Sequence, residues 1–101
     1  MNNIDFELVQ LRATQNETAD SLIRLVAVHR FNGNDKAAFE IASKAAYTYR
    51  SGEAYSLIGE ALLLGRGVAR DLEAGIKALK RAVSLGDDVA KLILRKWQFV
   101  A

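Results

Sequence analysis

Glu53-Ala54-Tyr55-Ser56-Leu57-Ile58-Gly59, followed by Gly65-Arg66-Gly67-Val68-Ala69-Arg70-Asp71, is the stretch of this 101-residue chain whose reading decides the fold. The first part predicts a helix over 53–64. Gly59 stands inside it, where glycine costs ~1 kcal/mol relative to alanine. Such a residue is reasonable only where another helix crosses too closely for a Cβ atom. Gly65 and Gly67 bracket a turn that needs unusual backbone angles, and Val68 can plug the gap between the paired helices. Asp71 is placed to cap a second helix that reaches Leu85, where Gly86 ends it.

Helices follow in both directions from this unit. Upstream, Ile4, Leu8 and Leu11 lie at three- and four-residue spacing and predict a short helix to about Gln15, with Asn3 as its cap. A helix over about 17–30 carries Leu22, Ile23, Val26 and Arg30 on one stripe, with Ala19 on the same side. Phe31-Asn32-Gly33-Asn34 closes it. Asn34 or Asp35 caps a helix over about 36–49 whose packing face is Ala38, Ala42, Ala45 and Ala46, small enough to let backbones approach. Ser51-Gly52 is its stop. Downstream, Asp87 or Asp88 caps a helix to about Phe99, with Val89, Leu92, Ile93, Trp97 and Val100 at helical spacing. The chain contains no proline, and no strand-like alternation competes.

A period runs through these helices. Ala54 and Ala90 lie thirty-six residues apart after similar glycine turns, and Leu57-Ile58 maps onto Ile93-Leu94 and back onto Ser21-Leu22. Lys36-Ala37-Ala38 with Lys44-Ala45-Ala46 matches Glu73-Ala74-Gly75 with Arg81-Ala82-Val83 thirty-seven residues on. A two-helix unit recurring every thirty-odd residues is the mark of an α-solenoid. The expected fold is all-α: helix–turn–helix repeats stacked as a short solenoid of five to six helices.

Residues 53–86 resemble one complete Sel-one-like repeat of the tetratricopeptide-like kind. Ile58-Gly59, Gly65-Arg66-Gly67-Val68, Asp71, Arg81-Ala82 and Gly86 match that family's pattern in register. Residues 17–52 look like a degenerate copy, with a shorter turn and Ile23 at the place of the packed glycine. Residues 87–101 hold a single helix with Arg95 at that place, read as a terminal cap, and 1–16 an N-terminal helix, all within one domain. In such families the first helix of each pair lines a concave surface that receives a partner's peptide or helix. The groove residues implied by the resemblance are Glu17, Asp20 and Arg24, then Glu53, Ser56, Glu60 and Leu63, continued by Val89, Leu92 and Lys96. That groove is acidic at one end and basic-apolar at the other, so it implies a partner of segregated charge.

Catalytic chemistry finds no set of residues. Cysteine is absent, and His29 is the single histidine, near a helix end. Asp87-Asp88 reads as a helix cap rather than an acid–base pair, and Gly65-Arg66-Gly67 lacks the Lys-Ser/Thr of a phosphate-binding loop. The chain is therefore read as a non-enzyme without cofactor or metal. Met1-Asn2-Asn3-Ile4-Asp5 leads into no uninterrupted apolar run, and Ala61 to Leu64, an apolar run that no other exceeds, is far short of the ~20 residues of a membrane span. No signal peptide or membrane association is expected, and a cytoplasmic location is the reading.

The net charge of +2 is mild. Lys77, Lys80, Arg81, Lys91, Arg95 and Lys96 concentrate toward the C-terminus. A solvated face is the plain reading. The alternative is a small nucleic-acid-associated or inhibitory regulator from a mobile element or secretion system that uses this basic third. Tyr47, Tyr49 and Tyr55 cluster at the junction of the two units. Leu94 and Phe99 fall off the last helix's stripe and, with Trp97, form a candidate patch for a weak homodimer. The function expected is a protein–protein interaction module, an adaptor that binds another protein on its helical groove.

Overall fold

A computed structural model of the chain describes residues 3–97, and six helices account for most of them. They are α1 (Asn3–Gln15), α2 (Ala19–Phe31), α3 (Asp35–Tyr49), α4 (Gly52–Leu64), α5 (Leu72–Ser84) and α6 (Asp88–Trp97). No strand occurs among the described residues. The fold is all-α, a short stack of helical hairpins measuring 43 × 24 × 18 Å along its principal axes.

Short side chains set most of the starts. The Asp71 carboxylate accepts from the Ala74 amide at 3.0 Å, and the Ser51 hydroxyl accepts from the Ala54 amide at 3.1 Å. Asp87 holds α6 through the Val89 amide at 3.3 Å. Thr18, not singled out from the sequence, makes a reciprocal box with Ser21, each side chain accepting from the other's amide. Asn34 occupies the cap position of α3 but makes no side-chain bond there. Asn3 is the first helical residue of α1 rather than its cap.

One stop differs from the expected one. Between α3 and α4 the left-handed residue is Arg50 (φ 51°), while Gly52 already belongs to α4. Gly65 and Gly67 behave as expected, with φ 68° and 75°. A Cβ on Gly67 would run into the carbonyl of Asp35, with the Lys36 amide nitrogen 2.8 Å away, so this loop seats directly on the start of α3.

Consecutive helices pack as antiparallel pairs. Glu17, ahead of α2, touches Lys44 and Tyr49 near the end of α3. Gly52 at the start of α4 lies against Leu85, while Leu63 near its end lies against Gly75 at the start of α5. The α4–α5 pair is the tightest. A Cβ on Gly59 would stand 2.6 Å from Leu79 Cγ and 3.0 Å from the Gly75 carbonyl. A Cβ on Gly75 would stand 2.9 Å from Leu63 Cδ2 and 3.0 Å from the Gly59 carbonyl. The glycine inferred from sequence to mark a close crossing does so, and Gly75 is its reciprocal partner.

The core has two parts. Leu22, Val26, Ile58, Ala54 and, from α3, Ala38, Ala42, Ala45 and Ala46 fill the space among α2, α3 and α4. Leu63, Leu79, Ala82 and Ala90 fill that among α4, α5 and α6. The expected stripe of α1 is not the buried one: Leu8 and Leu11 are exposed, and Ala13 is buried. A small residue allows α1 to lie close on α2 where leucine would hold it off. In α6 the buried side is Ala90 with Ile93, Leu94 and Trp97 half-buried, while Val89 and Leu92 are exposed. Residues Phe99 and Val100 lie outside the described residues.

Gly59→Leu should lower the unfolding free energy by about 3 kcal/mol or more, because neither Leu79 nor the Gly75 backbone has room to retreat. Glu60→Leu, one residue on and half-exposed, should change it by less than about 1 kcal/mol. Urea denaturation of both variants checks this. Equal losses would contradict the packing described.

Candidate interaction groove

Helices α4 and α6 flank α5 on the same side of the stack and touch each other along one edge. Glu53, Ser56, Leu57 and Glu60 stand at positions i, i+3, i+4 and i+7 of α4 and so share a face. Opposite them stand Asp87, Val89 and Ile93, and the two sets enclose a hollow of about 260 Å3. Val89 and Ile93 also belong to a second hollow of about 600 Å3, whose other walls are Leu92, Arg95 and Lys96. The two are therefore continuous along α6. The first hollow is bordered by carboxylates, the shared wall is apolar, and the second hollow is bordered by cations.

Six of the ten groove positions implied by the family resemblance come together here: Glu53, Ser56, Glu60, Val89, Leu92 and Lys96. Leu63 does not. It is 1 % exposed and packs beneath Gly75. Near the end of α4 its side chain turns toward α5. Asp20 and Arg24 are exposed on α2 and line neither hollow. The residue of α2 that reaches the groove is Arg30, whose guanidinium lies 3.8 Å from the Glu60 carboxylate. Its place at the end of the α2 stripe was the available signal.

Ser56 is the one buried polar side chain among the described residues, at 5 % exposure, and its hydroxyl has no hydrogen-bond partner. Asp87 Oδ1 caps α6, while its Oδ2 is buried and also without a partner. Both residues line the same hollow.

Glu17 turns away from the groove to α3. Its carboxylate accepts from the Tyr49 hydroxyl at 2.6 Å and pairs with the Lys44 ammonium at 2.6 Å. The hydrogen bond from Lys44, then that from Tyr49, holds the Glu17 carboxyl below its ordinary pKa. The same carboxylate pushes the Tyr49 phenol up.

The remaining candidates are dispersed. Leu94 and Trp97, assigned to a self-association patch, are half-buried against the core of α5, because Ala90 brings α6 in close on that side. Phe99, the third member, lies outside the described residues. The Arg70 guanidinium lies 5.9 Å from the centre of the Trp97 ring. Tyr47 and Tyr55 meet edge to face at 5.7 Å, and Arg81 lies over Tyr55 at 6.0 Å. With Lys77 they border a separate cleft on the α3–α5 side, Arg95 and Lys96 border the α6 hollow, and Lys80 and Lys91 line neither. No protein-family model, characterised protein or solved structure matches the chain. Among the described residues no cluster of three or more His, Cys, Asp or Glu side chains could hold a metal ion, and no helix is long and apolar enough to cross a membrane.

Glu17→Gln should lower the pKa of the Tyr49 phenol, since the charged acceptor that favours the protonated phenol is removed. In the native chain the raised phenol pKa contributes stability below the unfolded value, lost as pH rises through the folded one. The depressed Glu17 pKa contributes stability above its unfolded value, lost as pH falls through the folded one. Ultraviolet titration of the wild type and Glu17→Gln reads the phenol directly. An unmoved tyrosine curve would contradict the pairing.

Proposed function

We propose that the chain is a non-catalytic binding module of the Sel-one-like kind that docks a segment of another protein along the α4–α6 groove. The observation that carries this reading is the continuous lining of that groove. Carboxylates of Glu53, Glu60 and Asp87 border its first hollow and the cations Arg95 and Lys96 its second. Val89 and Leu92, 58 % and 59 % exposed, lie on α6 within its lining. Apolar side chains that gain nothing from water, flanked by opposite charges, favour a partner carrying the complementary order. The hairpins beneath are held by close backbone contacts, so the surface is preorganised and little ordering entropy is lost on docking. A cytoplasmic setting and an adaptor role belong to the same proposal.

Photo-crosslinking residues at Leu92 and Val89, introduced into the full chain in its native cell, should trap one discrete polypeptide. The same residue at Leu8 on α1 should trap none. Combined reversal by Glu53→Lys and Lys96→Glu should abolish the adduct while leaving the helical circular dichroism unchanged. Equal labelling from α1, or an adduct indifferent to charge reversal, would overturn the reading.

A further inference from the structure

We propose that the hollow between α4 and the start of α6 is a receptor for an arginine side chain of the docked partner. This rests on the binding reading above and specifies the chemistry at one end of the groove.

Three carboxylates, Glu53, Glu60 and Asp87, border the hollow, and Arg30 reaches one of them at a loose 3.8 Å. The excess is negative, so a carboxylate or phosphate is repelled and a cation is drawn in. The carboxylates are not gathered tightly enough to hold a metal ion. The negative charge is therefore spread around the rim, which suits a delocalised cation better than a point charge. The wall adds the unpartnered Ser56 hydroxyl, and Oδ2 of Asp87 is likewise buried there without a partner. Buried polar atoms are nearly always satisfied, and one left without a partner costs about 1–3 kcal/mol. A ligand that completes this wall must offer several donors. It must also carry an apolar stem to lie on Leu57, Val89 and Ile93.

Arginine has that combination. Its guanidinium presents five N–H donors in a plane, needs no acceptor, and is less strongly hydrated than an ammonium, so it enters a half-buried site more readily. Its methylenes can cover the apolar wall while the head stays with the carboxylates. From Asp87 to Lys96 is about 13 Å along α6. The partner segment should therefore place an acidic residue about that far from the arginine, with an apolar residue between them.

Amide chemical shifts of the full chain, followed during titration with N-acetyl-arginine methylamide, test the assignment. Saturable shifts are expected at Ser56, Leu57, Asp87 and Val89. The isosteric neutral citrulline compound should produce none, and the lysine compound should bind at least threefold more weakly. Asp87→Asn keeps an equally good cap on α6 and should weaken arginine binding severalfold, as should Glu53→Gln at an exposed site. Ser56→Ala should weaken it too without lowering thermal stability, because the hydroxyl has no partner to lose.

Absence of saturable shifts at these positions would mean that the hollow holds only water, and would overturn the proposal. Equal response to citrulline or lysine would overturn it as well, as would indifference to both charge-removing substitutions. Crosslinking through Leu92 with no arginine binding would leave the docking reading standing and remove only this one.

Discussion

The contact on which the structure depends is the approach of α4 and α5 at Gly59 and Gly75. Each glycine's missing Cβ is the space that a leucine of the other helix occupies: Leu79 against Gly59, Leu63 against Gly75. Both carbonyls sit within about a side chain's width of the opposite helix. Glycine inside a helix is a local disadvantage of ~1 kcal/mol each, so the pair persists only because the tertiary contact exceeds it. Leu63 and Leu79 are consequently among the most deeply buried side chains in the chain. They also support Ala90, which fixes how closely α6 can lie and so where the groove opens.

The loop over 65–71 carries this geometry to the rest of the stack. Its glycine at 67 sits on the backbone of Asp35 at the start of α3. The Arg70 Nε donates to the Leu63 carbonyl at the end of α4 at 3.0 Å, and its guanidinium faces Trp97 on α6. The Asp71 amide returns to the Leu62 carbonyl at 2.9 Å before its carboxylate starts α5. One connection thus touches four helices. A loop without Gly67 could not approach α3, and one without Arg70 would leave the end of α4 unsatisfied.

Much of this was legible in the sequence because it resides in residues with a single physical use. Gly59 in mid-helix, Gly65-Arg66-Gly67, Asp71 and the alanine face of α3 each allow few arrangements, and helix existence and order followed from them. What periodicity misjudged was rotation. Leu8 and Leu11 in α1, and Val89 and Leu92 in α6, look like buried stripes by spacing alone. The buried faces instead run through Ala13 and Ala90, since a small residue brings two helices nearer than a leucine does. Leu63, placed in the groove by the family resemblance, lies instead against Gly75, one residue before the exposed Leu64. Glu17 could not be assigned from the chain, as its partners Lys44 and Tyr49 lie some thirty residues away.

The groove inherits its character from these rotations: α6 turns Ala90 inward, and that turn presents Val89, Leu92 and Lys96 outward beside Glu53 and Glu60 of α4. The most direct test is therefore of the contact beneath it. Gly59→Ala, Leu79→Ala and the double variant should be compared by urea denaturation, with the same stabilising osmolyte present in every sample. Because the added methyl collides with Leu79 Cγ, Gly59→Ala should be markedly less costly in the Leu79→Ala background, with a coupling of about 1 kcal/mol or more. Strict additivity of the two substitutions would contradict the account, since it would mean that Gly59 and Leu79 do not meet.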